Sequence, residues 1–440
     1  MKIALDAMGG DYAPRATVEG AVAAARELGI GVVLVGDRAK LEKELAEHRY
    51  AGLDLTIEHA TEVVTMEDSP LESVLAKPDS SLHVSFDLLK RGAVEAVVSA
   101  GNSGAMMTAA MVILGNLPGV DRPAIASIVP SSEGLTLLID AGANTEVKPF
   151  NLVQFAVMGH LYAHHVLKLA RPRVGILSNG EEDSKGTDLT RAAAATLRAM
   201  ASDINYIGYV EGRDINTGKV DVVVTDGFTG NVALKTMEGL ARFAFGCLRE
   251  VFSRGLRGSL AYFLIRKRLT AMRQRFDQSE YGGAPLLGVN GVAIVAHGSS
   301  NARAIRNALR AAADQALSKQ VNPAIVEMLG RAPLAPPAKG KGVRALFNRM
   351  RERLHRHSRE PDSARRAPAY PSSEALSKPP RSTGPLSRPD DGKAYPREQS
   401  IADVSQPPNG AGAPQERGAN SEDQPAPPFD PNSRPKNHPS

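Results

Sequence analysis

The sequence lacks most of the features that would assign it at once. It holds one cysteine, Cys247, among 440 residues, which excludes a disulfide framework and a cysteine-ligated zinc site. No run of about 18 apolar residues occurs, so no segment is expected to span a bilayer. The opening MKIALDAMGGDYAPR enters a strand-like run and then glycines, without the apolar stretch of a signal peptide. These absences predict a cytoplasmic protein, with peripheral membrane association left open. Nucleotide fingerprints are also missing. No Gly-x-Gly-x-x-Gly follows the first strand, and the nearest P-loop lookalike, Gly212 to Gly218-Lys219, is one residue too long and ends in Val220. No Gly-x-Ser-x-Gly elbow is present. His160 and His164 have helical metal-ligand spacing, but Leu161-Tyr162-Ala163 between them lacks the glutamate of a zinc-protease helix. Both read as structural. Cys247 lies in the apolar stretch Phe243–Leu248 and reads as a core cysteine. No covalent nucleophile and no metal site are evident.

What is present is unevenly spread. Length alone suggests two to four domains. The chain is formally +5, yet residues 331–440 carry +7 and 20 of the 30 prolines, leaving −2 for residues 1–330. A near-neutral body argues against nucleic-acid binding, which needs a basic face. Residues 331–440 form a Pro-rich tail, and 360–440 are too poor in Leu, Ile, Val and Phe to offset chain entropy, which predicts disorder. One island interrupts the tail. In Lys339–Arg359, Val343, Leu346, Phe347, Met350 and Leu354 fall on one helical stripe among eight Lys or Arg, with Glu352 the only acid.

Residues 1–330 alternate β-branched runs with amphipathic ones. Strands are predicted at Lys2–Leu5, Val32–Val35, Leu55–His59, Ala96–Ser99, Ala124–Val129, Leu135–Ile139, Arg173–Leu177, Tyr206–Tyr209, Val220–Thr225 and Val292–Ala296. Helical patterns separate many of them, including Pro149–Leu167 and Asn231–Phe252. Continuous apolar strands in a β-α-β rhythm mean a parallel or mixed sheet covered by helices.

In such sheets, ligands bind beyond the carboxyl ends of strands. Six predicted strand ends carry small, polar, glycine-rich loops: Asp6–Asp11, Ala100–Ala105, Asp140–Asn144, Ser178–Gly186, Asp226–Asn231 and His297–Asn301. Glycines let backbone N–H groups approach a ligand, and helix N-termini offer unpaired donors. Ser103 and Thr229 can cap the helices that follow. One such loop is an ordinary turn; six at successive strand ends suggest an anion site. The charged residues nearby are Lys185, Lys235 and His297. Each also has a plain reading, as a solvated loop charge, a helix-surface lysine and a structural loop histidine.

Leu248–Phe276 interleaves twelve large apolar residues with eight Lys or Arg and only Glu250. Gly255 and Gly258 should split it into two helices. A basic, apolar hairpin of this kind suits a dimer contact, a membrane-surface tip or a dock for an acidic protein, or plain packing with a solvated basic face.

The motifs MKIALDAMGGDYAP, LVGD (Leu34–Asp37), SAGNSGA (Ser99–Ala105), DAGAN (Asp140–Asn144), the Asn179–Gly186 loop, TDGFTGNVALKTMEG (Thr225–Gly239) and YGGAPLLGVNG (Tyr281–Gly291) followed by HGSS together resemble the bacterial phosphate acyltransferases. Those are the acyl-ACP:phosphate acyltransferases that begin phospholipid synthesis. The resemblance spans about residues 1–325. It implies a three-layer α/β fold like that of phosphotransacetylases and isopropylmalate dehydrogenases, in a homodimer. It implies reversible transfer of an acyl group from acyl carrier protein to phosphate, with no cofactor and no metal. The product would go to a membrane glycerol-phosphate acyltransferase. On this reading Lys185, Asn231 and His297 are the catalytic candidates. Gly9, Gly10, Asp11, Ser99, Gly101, Asn102, Ser103, Gly104, Asn144, Asn179, Asp226, Lys235 and Ser299 are the candidates for binding phosphate or acyl donor. The rivals are a CoA-dependent phosphate acetyl- or butyryltransferase, an NAD-dependent β-decarboxylating dehydrogenase, and a non-catalytic membrane scaffold. The dehydrogenase would need grouped metal-binding acids and an arginine clamp, which the sequence does not group.

Overall fold

The computed structural model describes residues 1–253, 255–276 and 278–332. The predicted tail beyond residue 332, with its basic segment Lys339–Arg359, lies outside the described residues. The chain begins β1 (Lys2–Asp6), α1 (Arg15–Leu28), β2 (Gly31–Gly36), α2 (Arg38–Ala46), β3 (Leu55–His59), α3 (Pro70–Ala76), α4 (Ser81–Lys90), β4 (Ala96–Ser99) and α5 (Ser103–Ala109). It continues through β5 (Ala124–Ser131), β6 (Gly134–Ile139), α6 (Pro149–His165), β7 (Val174–Leu177), α7 (Asp188–Ala199), β8 (Tyr206–Val210) and β9 (Val222–Val224). Two long helices follow, α8 (Gly227–Ser253) and α9 (Gly255–Phe276), then β10 (Ala284–Leu287), β11 (Ala293–Val295), α10 (Ala302–Ser318) and α11 (Val321–Arg331).

The eleven strands form one mixed sheet, in the order β3-β2-β1-β4-β11-β10-β5-β6-β9-β7-β8. It has two parallel halves. In the first, β3, β2, β1, β4 and β11 run together. In the second, β6, β9, β7 and β8 do. Between them, β10 is antiparallel to both β11 and β5, and β5 is antiparallel to β6. Three reversals set the second half running opposite to the first. The six glycine loops therefore do not share one straight edge, as an all-parallel sheet would require.

Helices cover both faces of the first half. One face packs Val18 and Ala21 of α1 and Ile305 and Leu309 of α10 against Ile3, Leu5 and Val98. The other packs Phe86 of α4 and Met106 of α5 against Ala4, Val35 and Val97. The second half rests mainly on α6, whose residues Asn151–Ala163 are all buried. A helix apolar on every side belongs in a core. Pro149 opens it at a position where its missing N–H costs nothing. The predicted strands are all present. β10 was not expected, because Pro285 sits inside it and proline reads as a strand breaker. Cys247, expected in a core, is exposed. It lies on the far part of α8, where the helix leaves the body and only one side is covered.

Two buried carboxylates close the central strands. Asp6 ends β1; its Oδ2 accepts from Ser99 Oγ at 2.7 Å, and its Oδ1 from the Met8 N–H at 3.3 Å. Asp140 follows β6 and accepts from the N–H groups of Ile125 (3.1 Å), Gly142 (3.1 Å), Ala143 (2.9 Å) and Asn144 (2.7 Å), and from Asn144 Nδ2 (2.8 Å). Burial raises both pKa values, opposed by these hydrogen bonds.

Two outcomes follow from these buried groups. In Asp140→Asn an amide would present its own hydrogens to several N–H donors. That should lower stability by at least about 2 kcal/mol, read as an earlier urea midpoint; an unchanged midpoint would contradict the cradle. His160 on α6 is buried, and its Nδ1 has no partner among the described residues. Burial first, then His164 and His165, depress its pKa to about 4. The unfolded ring, near 6.5, binds a proton that the folded ring refuses in this window. Stability contributed by neutral His160 is thus lost as pH falls from about 6.5 toward 4, on the order of 3 kcal/mol. His160→Gln should lose less stability than the wild type between pH 7 and pH 4.5; equal losses would place the sensitivity elsewhere.

Candidate active site

The loops after β1, β4 and β11 and the start of α8 meet at an open cleft of about 1440 Å³, walled on one side by α8 and α9. The face of α8 toward it carries Asn231, Lys235, Glu238, Arg242, Phe245, Arg249 and Phe252, spaced three or four residues apart as one helical face requires. The first turns are polar, and further along Phe245 and Phe252 flank Arg249. From Lys235 to Phe252 this face extends about 25 Å. Across the hairpin, Phe245 pairs with Phe276 at 5.9 Å and Phe252 with Tyr262 at 6.3 Å between ring centroids.

Of the sequence-derived candidates, Asp11, Gly101, Ser103, Asn231, Lys235, His297 and Ser299 line the cleft. Others stand behind it and shape it. A Cβ on Gly9 would lie 2.5 Å from Asp6 Oδ2 and 2.9 Å from the Gly101 nitrogen, so only glycine lets these two loops touch. Gly10 packs by Ala100 and Gly298. Ser99 Oγ accepts from the Gly101 N–H at 3.1 Å. Asn102 caps α5 by accepting from the Ala105 N–H at 3.1 Å, and its amide donates to the Met66 and Asp68 carbonyls at 3.2 Å each. Asn102 is therefore the cap, and Ser103 the first helical residue. Gly104 lies against Pro70. At α8, Asp226 accepts from the Thr229 N–H (2.9 Å) and hydroxyl (2.7 Å), so Asp226 caps and Thr229 donates. Asn144 is buried on Asp140 and also donates to the Pro123 carbonyl at 2.7 Å.

Asn179 and Lys185 are not among the residues lining the cleft. Asn179 Oδ1 accepts from the Gly186 N–H at 2.9 Å, and the Lys185 N–H donates to the Glu182 carbonyl at 2.9 Å. This loop closes on itself and ties to the body through Lys219, which pairs with Glu181 at 2.6 Å.

One contact in the cleft joins groups from the two halves of the sheet. Lys235 Nζ, from the second half, lies 3.5 Å from His297 Nε2, from the first. The Ser299 N–H points at His297 Nδ1 at 3.2 Å, and Ser299 Oγ is 2.8 Å from the same atom. A backbone N–H can only donate, so Nδ1 accepts and the ring proton sits on Nε2. Nε2–H and the lysine ammonium are both donors, and they converge without bonding each other. An anionic oxygen between them would satisfy both. Glu238, only 17% exposed, holds the ammonium from the other side through Oε1 at 3.0 Å and Oε2 at 3.1 Å. Glu238 was missed in the sequence; its position three residues after Lys235 was the available signal. Such a donor pair can bind an oxyanion or stabilise negative charge developing at a carbonyl.

A family model described as "Fatty acid synthesis protein" matches residues 1–323. A protein named "Phosphate acyltransferase" from Geobacter sulfurreducens is 54% identical over 329 residues, covering 75% of this chain and 94% of that protein. One of the same name from Geotalea daltonii is 52% identical over 329 residues, with the same coverage. Among solved structures, a phosphotransacetylase from Streptococcus pyogenes aligns with a TM-score of 0.50 at 18% identity, over 72% of this chain and 94% of that one. That likeness shows a shared fold. With the family model and the identities over nearly the full length of the relatives, the chain belongs to the phosphate acyltransferase family and is an acyltransferase enzyme.

Proposed function

We propose that this acyltransferase moves an acyl group from the thioester of an acyl carrier protein to inorganic phosphate, as an early step toward phospholipid. The observation that carries the reading is the convergence of Lys235 and His297 as two donors with no protein acceptor between them. A phosphate oxygen attacks the thioester carbonyl carbon directly; a C–O bond forms and the C–S bond breaks. The thiolate leaves with the electron pair, and the proton brought in on monohydrogen phosphate ends on the thiol. Phosphate sits at Lys235, His297 and Ser103, beside Gly101, and Asn231 faces the developing oxyanion. No acyl-enzyme is needed. The long, partly aromatic wall of α8 and α9 gives room for an acyl chain.

The hairpin also suits docking. Leu240, Phe243, Phe263 and Leu264 are exposed, beside Arg266, Lys267 and Arg268 on α9. Among the described residues no helix is long and apolar enough to cross a membrane. Exposed apolar groups beside cations fit an anionic membrane surface, an acidic carrier protein, and the contact between two copies in a homodimer. Contact with the membrane would bring acyl phosphate to a glycerol-phosphate acyltransferase.

Lys235→Ala should lower kcat for acyl phosphate formation, trapped as the hydroxamate, by 10²-fold or more, in line with about 2.7–4 kcal/mol for one oxyanion donor. Lys185→Ala should stay within a few-fold of wild type, and acyl carrier protein should outcompete acyl-CoA as donor. The reverse ranking of the two lysines would move the site to the Asn179–Gly186 loop. Changing Arg266, Lys267 and Arg268 together to Gln should weaken flotation with anionic liposomes in low salt, by up to ~100-fold at about 1 kcal/mol per charge. Undiminished flotation would remove the hairpin as the membrane contact.

A further inference from the structure

Among the described residues two carboxylates line the cleft, Asp11 and Glu238, and they are in different states. Glu238 is spent on Lys235, with both oxygens bonded. Asp11 is not: it lines the same cleft, and no described residue forms an ion pair with it. Its position is fixed by its backbone, whose N–H donates to the Gly298 carbonyl at 2.8 Å. Its carboxylate lies against Gly298, 3.5 Å from where a Cβ on that residue would stand. Gly298 joins His297 to Ser299, so an unpaired carboxylate abuts the loop that aims the His297 donor.

A free carboxylate is an odd neighbour for an anion. It repels any oxyanion with only lone pairs to present, because an ionised carboxylate can accept hydrogen bonds and cannot donate them. It suits an oxyanion that still carries a hydrogen. Near neutral pH inorganic phosphate keeps at least one P–OH, as arsenate does, whereas sulfate keeps none. We infer that Asp11 is a specificity residue that accepts the hydrogen bond of the phosphate O–H and so selects protonated oxyanions over sulfate. This rests on the reading of the cleft as the phosphate site, and it adds a property that the donors Lys235 and His297 cannot supply. Two cationic or N–H donors attract sulfate and phosphate alike; only an acceptor tells them apart. A site built to bond a substrate O–H rejects the analogue lacking it far more strongly than size alone would allow.

The test needs no acyl donor. Calorimetric titration of the full chain with phosphate, arsenate and sulfate at pH 7.5 should give phosphate and arsenate at least 30-fold tighter than sulfate. In Asp11→Asn, which keeps the backbone bond to Gly298, the phosphate-to-sulfate ratio should shrink at least tenfold, with phosphate weaker and sulfate stronger. In turnover, sulfate should become an effective competitor of phosphate only in the variant. Equal binding of sulfate and phosphate by the wild type would overturn the inference without any variant. A ratio unchanged in a folded Asp11→Asn would overturn it as well. If the wild type binds none of the three anions, the phosphate-site reading itself fails, and this inference with it; that result is distinct from loss of selectivity.

Discussion

A carboxylate buried at the end of a strand must find donors or give up its charge, and much of this protein follows from how Asp140 finds them. Five hydrogen bonds converge on its two oxygens, four from backbone N–H groups of Ile125, Gly142, Ala143 and Asn144 and one from the Asn144 amide. They fix the loop against which α8 begins. Gly230, in the first turn of α8, sits so close to the Asp140 carbonyl that a side chain there would overlap it. The helix is thereby seated, and Lys235, little more than a turn further on, is aimed across at His297. Asp6 plays the matching part in the other half, holding Ser99 and, through it, Gly101. The site is thus built less by the residues that face the ligand than by two acids that never touch it.

The electrostatics of the cleft are correspondingly economical. Lys235 is opposed by Glu238, so the region is not a strong positive well. On the proposed reading, selectivity would come from directed donors and an acceptor in fixed places. Preorganised groups of this kind do not have to reorient when charge develops. Further out, Arg242, Arg249 and Arg273 share the wall with Phe245, Phe252 and Tyr262, a combination suited to an amphipathic ligand whose polar and apolar parts lie side by side.

Much of this was legible in the residues. Continuous apolar strands named the sheet, and glycine loops after strands named most of the cleft floor. What was not legible depended on topology. The direction of the second half is set by β5 and β10, and β10 hides behind Pro285. The Asn179–Gly186 loop follows β7 at the same end as the loops after β6 and β9, yet Ala141 and Asn231 line the cleft and Lys185 does not; which loops of one end reach a cleft is not written in strand pattern. Lys235 was named as a binding candidate beside a plain surface-lysine reading, but its pairing with His297, 62 residues away in sequence, was not legible. Glu238 was missed although it stands three residues after Lys235, and Asp140 was read only as the start of a glycine loop, because its five donors converge only in the fold. Cys247 was misjudged because an apolar helical stretch looks the same whether it is buried or projects from the body.

The unbroken length of α8 has a mechanical meaning. Its first turn is clamped at Asp140, Lys235 stands about 12 Å along it, and its far end is about 39 Å along. Pivoting about the clamp, a stiff rod would move its far end roughly three times as far as Lys235. A displacement of some 3 Å at the hairpin would therefore reach the lysine as about 1 Å, the size of misplacement that can change a catalytic rate a hundredfold. In this sense the hairpin has the geometry of a lever arm, with Lys235 near its fulcrum.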